Sequence, residues 1–167
     1  MQNIILKYDG HSKDIWLVRK NVKICLTCSH GGHLTEILQL MDAFEGHDIF
    51  FITYEGARST ELKNKYTFKN LGKNPLRFLI TTPYVFKILL KEKPNIIIST
   101  GSEIAIPVFY MGKLLGIRTM FIESLCRVKE PSLSGRIVYP VSDVFLVQWE
   151  QLLSKFGKKA QYWGNVL

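Results

Sequence analysis

Val22-Lys23-Ile24-Cys25-Leu26-Thr27-Cys28-Ser29-His30-Gly31-Gly32-His33-Leu34-Thr35-Glu36 passes from an apolar, β-branched run, through two glycines, into apolar positions at helical spacing. Val22, Ile24 and Leu26 suit a buried central strand, Gly31 and Gly32 suit a tight turn, and Leu34, Ile37, Leu38 and Met41 share one face of a helix. A strand that turns through glycine into a helix makes a site. The first N–H groups of the helix are unpaired and can face an anion, and glycines let its oxygens approach the backbone. His30 and His33 bracket the turn, and imidazole is the side chain most readily used as a proton acceptor near neutral pH.

The same pattern returns later in the chain. Ile96, Ile97, Ile98 and Ser99 form a short apolar run suited to a buried parallel strand, and Thr100, Gly101, Ser102 and Glu103 follow it at a helix start. An apolar helix then runs to Gly116. Further strands are predicted over residues 48–53, 67–71, 119–123, 144–147 and 161–163, and further helices over 59–65, 132–139, with Ser132 or Ser134 near its cap, and 149–156. Strands alternating with helices predict an α/β domain, doubly wound around a mainly parallel sheet. In such a sheet ligands bind beyond the carboxyl ends of the strands, where strand order reverses. The 29–33 turn, the 100–103 turn and Glu123 all leave carboxyl ends of predicted strands and can converge on one crevice.

Two stretches stay open. Residues 1–21, with apolar clusters on either side of Asp9-Gly10, form either a hairpin or a loose arm, serving as a contact for a partner or membrane or as an edge addition; the main domain is then 22–167. Residues 75–94 interleave Leu76, Phe78, Leu79, Ile80, Tyr84, Val85, Phe86, Ile88, Leu89 and Leu90 with Arg77, Lys87, Lys91 and Lys93. This is either a basic amphipathic helix lying in a membrane interface or a crossover helix packed on the sheet with its lysines in water, and Pro83 is expected to bend or split it.

Composition narrows the function classes. With 167 residues and 47% hydrophobic content the chain is expected to be one domain with a real core. Its 22 Lys and Arg against 14 Asp and Glu leave a net +8, which favours an anionic partner. Three cysteines argue against a disulfide scaffold. No apolar run reaches the ~18 residues needed to span a bilayer, and the first residues lack the order of a signal peptide. Cys25, Cys28, His30 and His33 carry potential metal ligands, yet positions i and i+3 of a strand face opposite sides, so no metal site is expected. Gly31-Gly32 completes neither a dinucleotide fingerprint nor a phosphate-binding loop, and the lysines of residues 63–93 lack a recognisable nucleic-acid reading module, so no nucleic-acid partner is expected.

Five motifs in one order, Ser29-His30-Gly31-Gly32-His33-Leu34-Thr35-Glu36, Ser99-Thr100-Gly101-Ser102-Glu103, Phe121-Ile122-Glu123-Ser124-Leu125-Cys126-Arg127-Val128, residues 141–150, and Tyr162-Trp163-Gly164-Asn165-Val166-Leu167, give the chain a family likeness. It resembles the membrane-associated, acceptor-side subunit of two-component glycosyltransferases that make lipid-linked oligosaccharides. That subunit serves the transferase adding the second N-acetylglucosamine to dolichyl-diphosphate-N-acetylglucosamine, and its bacterial counterparts are the PssD-like and CpsF-like polysaccharide proteins.

The resemblance implies a Rossmann-like fold equivalent to the amino-terminal, acceptor half of a GT-B glycosyltransferase. It further implies a UDP-sugar co-substrate, no other cofactor, and a separate donor-binding subunit without which the chain is inactive. The acceptor is then a sugar linked to lipid diphosphate, and the chain works peripherally at the cytoplasmic face of a membrane. His33 matches the histidine closing the glycine-rich turn of the related peptidoglycan lipid-intermediate transferase, which makes it the candidate general base of an inverting transfer; its alternative is a capping or buried histidine. Glu123 is assigned either to hold a sugar hydroxyl or to support the base. Ser29, His30, Gly31, Gly32, Thr100, Gly101, Ser102, Glu103, Ser124 and Arg127 are assigned to the acceptor, with Arg127 meeting the diphosphate or pairing structurally with Glu123. A non-catalytic membrane scaffold that recruits a catalytic donor subunit is the alternative function.

Overall fold

A computed structural model describes residues 6–7, 16–17, 21–72 and 74–166. The short strands β1 (Leu6–Lys7) and β2 (Trp16–Leu17) pair antiparallel, Leu6 opposite Leu17, as a separate two-stranded sheet; apart from Asn21, the rest of the 1–21 arm, including the Asp9-Gly10 turn, lies outside the described residues. Then come β3 (Lys23–Cys28), α1 (Gly32–Leu38), β4 (Asp48–Tyr54), β5 (Lys65–Phe68), α2 (Pro75–Glu92), β6 (Ile96–Ser99) and α3 (Ala105–Leu114). They are followed by β7 (Arg118–Ile122), α4 (Leu133–Val138), β8 (Val144–Val147), α5 (Leu153–Phe156) and β9 (Ala160–Tyr162), with short 3-10 turns between several of them.

β3 to β9 form one sheet in the order β5-β4-β3-β6-β7-β8-β9, with every neighbouring pair parallel. This is the doubly wound arrangement expected of the alternating pattern. Order reverses between β3 and β6, which pair with Thr27 opposite Ser99. A strand covered on both faces sends alternate side chains to two cores. Ile24, Leu26 and Cys28 join Ile96, Ile98, Met120 and Ile122 under α1, while Cys25 joins Ile97, Phe121 and Phe145 under α2, α3 and α4. Cys25 and Cys28 therefore point into different cores, as the strand period requires.

α2 departs from expectation at Pro83, because the helix runs unbroken from Pro75 to Glu92. The start is set by Asn74, whose side chain accepts from the Leu76 N–H at 3.0 Å, and by a proline in the first turn. Pro83 lies on the exposed side, so the Leu79 carbonyl deprived of its N–H partner is on the wet face, and Thr82 Oγ1 donates to the Phe78 carbonyl at 2.7 Å. The helix stops at Lys93, which is left-handed at φ 49°, immediately before Pro94. Val85 and Leu89 are buried against the sheet, while Leu76, Leu79, Ile80 and Tyr84 are 56–71% exposed.

Smaller differences follow from packing. α1 ends at Leu38, and Met41 belongs to a separate 3-10 turn. The 59–65 helix is a 3-10 turn over Ala57–Glu61, and its strand starts at Lys65 because that residue pairs with Phe51. The 149–156 helix is a 3-10 turn joined to the single turn α5.

The two faces of α2 predict opposite mutational outcomes. Leu89→Ala leaves a cavity in the core and costs about 2–5 kcal/mol, whereas Leu79→Ser changes stability by no more than about 0.5 kcal/mol. Urea unfolding midpoints of the two variants check this.

Candidate functional site

At the reversal point the chain leaving β3 turns to one face of the sheet and the chain leaving β6 turns to the other, opening a crevice at the carboxyl edge. A cavity of about 720 Å³ occupies it. Its wall brings together Ser29, His30, Gly31, His33, Ser102, Glu103 and Arg127 from the sequence assignments. It adds Tyr54, Asn70, Ser132 and Ser134 as polar groups, and Phe78, Ile106, Leu133 and Ile137 as an apolar side.

The 100–103 turn is the seat of His33. Thr100 Oγ1 donates to the His33 carbonyl at 2.7 Å, tying the two turns together. Gly101 has φ +125°, and a Cβ there would lie 2.8 Å from His33 Cε1, so both its conformation and the ring above it require glycine. Thr100 and Gly101 thus lie beneath the ring instead of on the cavity wall, where the sequence reading put them. Gly31 and Gly32 behave differently: neither has positive φ, and a Cβ on either would meet no atom within 4 Å. Gly31 lines the cavity and Gly32 is exposed, so these glycines leave open space. α1 itself has seven residues and no side-chain cap, too short to hold an anion by its dipole alone.

His33 caps nothing, and its Nδ1 is buried with no hydrogen-bond partner among the described residues. Burial lowers its pKa below the ordinary histidine value of 6.5, outweighing the Thr100 backbone and the Glu103 carboxylate, while the positive Arg127 adds to the lowering. Such an imidazole is neutral at neutral pH and available as an acceptor. His30 packs its ring on Gly56, where a Cβ would come within 2.7 Å of His30 Cγ, and its Nδ1 is likewise buried and unpartnered among the described residues.

Glu123 is corrected. Its side chain is fully buried and is absent from the cavity wall. Oε1 accepts from Ser124 N, and Oε2 accepts from the N–H and hydroxyl of Ser132, each at 3.0 Å. No ion pair joins it to Arg127 among the described residues, and Arg127 stands exposed at the cavity rim. Accepting from the 124–132 loop and from the cap of α4, this carboxylate positions the loop that carries Arg127 and the start of α4, with Ser132 and Ser134. Ser124 is also structural, because its hydroxyl donates to Glu36 Oε1 at 2.8 Å.

Glu36, one helical turn after His33, is the residue that sequence reasoning passed over. It is 5% exposed, and Gln148 Nε2 approaches its other oxygen at 3.4 Å while donating to the Glu123 carbonyl at 3.0 Å. Burial raises its pKa, against the Ser124 hydroxyl that favours the charged form. A carboxylate three residues after an apolar-flanked histidine, and a glutamine closing an apolar strand, were the available signals. Tyr54 gave a weaker one, as a tyrosine at the carboxyl end of a mostly apolar strand.

The model of the family described as "Oligosaccharide biosynthesis protein Alg14 like" matches residues 69–166. The chain is similar to the mouse (Mus musculus) UDP-N-acetylglucosamine transferase subunit ALG14, at 28% identity over 89% of this chain and 85% of that protein. The human (Homo sapiens) protein of the same name is 28% identical over 92% of this chain and 90% of its own length. Among solved structures, MurG from Acinetobacter baumannii superposes with a TM-score of 0.72 at 13% identity, over 89% of this chain and 46% of that one. The UDP-GlcNAc 2-epimerase from Methanocaldococcus jannaschii gives 0.66 at 17%, over 87% and 45%. The chain spans somewhat under half of each of these two structures and has the Rossmann-like fold of one GT-B half.

The glycines separate by role. Gly101→Ala forces a left-handed alanine under the His33 ring and costs about 1–3 kcal/mol, whereas Gly32→Ala, helical and unobstructed, stabilises by about 0.4–1 kcal/mol. Thermal unfolding of both variants distinguishes them.

Proposed function

The chain belongs to the Alg14-like family of oligosaccharide biosynthesis proteins, and from that membership we propose that it is the acceptor-side subunit of an inverting glycosyltransferase. In this reading a separate subunit holds a UDP-sugar, most simply UDP-N-acetylglucosamine, and the cavity of this chain holds a sugar linked to a lipid diphosphate. The observation that carries the reading is the His33 imidazole, kept neutral by burial in the wall of a cavity at the carboxyl edge of the sheet.

The acceptor hydroxyl attacks the anomeric carbon of the nucleotide sugar from the side opposite the diphosphate. The new glycosidic bond forms as the bond to UDP breaks, and the hydroxyl proton passes to His33. Glu103, one oxygen of which accepts from Ser102 Oγ at 2.9 Å, offers its other oxygen to the acceptor. Arg127 at the rim is placed for the lipid diphosphate. Neither role requires this chain to bind the nucleotide.

Membrane contact is assigned to the outer face of α2, on the cytoplasmic side. Among the described residues no helix is long and apolar enough to cross a membrane. Leu76, Leu79, Ile80 and Tyr84 nevertheless form an exposed apolar stripe flanked by Arg77, Lys87 and Lys91, and Phe78 on the same helix lines the cavity. A peripheral helix of this kind brings a lipid-borne acceptor to the crevice.

With the donor-binding partner present, His33→Gln keeps the complex but lowers kcat by about 10²–10⁴; unchanged turnover would instead identify a scaffold. Because the pKa of His33 is lowered, the wild-type kcat/KM holds down through pH 6.5 and falls only as pH drops through that lowered value, an acid limb that His33→Gln removes. Replacing Leu79 and Ile80 together by serine weakens binding to phosphatidylserine vesicles at least about tenfold in a flotation assay, and salt weakens what remains.

A further inference from the structure

The most deeply set polar group in the cavity wall is the Tyr54 hydroxyl. Tyr54 closes β4, is fully buried, and its oxygen has no hydrogen-bond partner of ordinary geometry among the described residues. The Leu71 and Ile104 backbones and the Ser102 hydroxyl lie near it without satisfying it. A buried hydroxyl left unmade is costly, and the same wall holds two more orphaned atoms, the Nδ1 nitrogens of His30 and His33. Thr27 and Thr53 carry the same kind of atom inside the strands, but on this one cavity wall three such groups stand together where a ligand can supply the partners. Burial pushes the Tyr54 hydroxyl up to about 12, so it remains an O–H donor at any physiological pH.

Its surroundings specify the ligand. Ser102 is held at φ +85° and donates to Glu103 Oε2, which fixes that carboxylate and leaves Oε1 as an acceptor. A phenolic donor beside a fixed carboxylate acceptor suits a group that both accepts and donates at neighbouring oxygens, which is the chemistry of a sugar's vicinal hydroxyls. The apolar part of the wall, Phe78, Ile106 and Leu133, lies toward the open side, where Leu133 is 65% exposed. The cavity is thus polar at depth, and its mouth combines the exposed Leu133 with the polar Asn70 and Arg127.

We infer that Tyr54 and Glu103 form the inner subsite that binds the hydroxyl-bearing sugar of the acceptor, with Tyr54 donating to one sugar oxygen and Glu103 accepting from its neighbour. This rests on the acceptor-side reading above and adds to it a residue that the family likeness does not assign. It also fixes the orientation of the ligand, with the sugar inward and the lipid outward past Leu133.

The test uses the chain with its donor-binding partner and a short-chain prenyl-diphosphate N-acetylglucosamine as acceptor probe, together with calorimetric titration of that probe into the chain alone. Tyr54→Phe is expected to raise the acceptor KM and the probe Kd by about five- to tenfold, leave the UDP-sugar KM within about twofold, and leave Tm unchanged or higher because an unpartnered hydroxyl is gone. Glu103→Gln is expected to raise the same two constants and stands in if Tyr54→Phe does not fold. An active complex in which neither variant moves the acceptor KM or the probe Kd overturns the subsite and leaves the transferase reading intact. A wild-type complex that binds the probe through Tyr54 but transfers nothing discards the transferase reading and keeps the subsite. A chain that neither binds nor transfers discards both.

Discussion

β3 and β6 run side by side in the middle of the sheet, and every residue over 24–28 and 96–99 is buried. Strands covered on both faces are furnished with apolar groups along their length, because each unpaired polar group there costs free energy. Chemistry is thereby confined to their ends. Since the chain leaves β3 toward one face and β6 toward the other, the two carboxyl ends cannot close over each other, and the gap between them is the cavity. The Thr100 to His33 hydrogen bond crosses that gap at 2.7 Å and fixes how far apart the two turns stand.

Behind the cavity lies a buried polar network whose members are structural. Glu123 ties the 124–132 loop to the cap of α4, Glu36 ties that loop to α1, and Gln148 bridges both while its own Oε1 accepts from Val166 N at 3.0 Å. Two carboxylates buried near one another are tolerable only where hydroxyl and amide donors satisfy them, as here. The network makes one rigid body of α1, which carries His33, the loop that carries Arg127, and the end of the described chain. Three groups on the cavity wall are in the opposite condition, Tyr54, His30 and His33 each holding a buried atom with no partner among the described residues.

α2 joins this site to its surroundings. Its inner face is core, its outer face is apolar and flanked by cations, and Phe78 between them reaches the cavity. A purely structural crossover helix has no need of leucine and isoleucine at positions more than half exposed. The net +8 of the chain acts in the same direction, toward an anionic surface or substrate.

Strand and helix alternation, the buried character of β3 and β6, and the separation of Cys25 from Cys28 were legible in the sequence because side-chain period and burial are local properties. The turns that end β3 and β6 were legible for the same reason, and the motif order around them pointed to the family. What the sequence could not assign was direction. Glu123, Ser124, Thr100 and Gly101 stand at the right strand ends, yet their neighbours across the fold turn them into supports; Ser132, eight residues beyond Ser124, occupies the carboxylate that seemed free. Tyr54 and Glu36 carried only weak local signals, because their importance lies in which partners they lack or share at long range. Pro83 sits within an unbroken helix because the lost hydrogen bond falls on the wet side, a fact fixed by the packing of Val85 and Leu89. The sequence by itself determined the fold and the edge at which chemistry occurs, since these follow from periodicity. Only the tertiary structure decided which polar groups are spent on the scaffold and which remain for a ligand, since that depends on contacts between residues far apart in the chain.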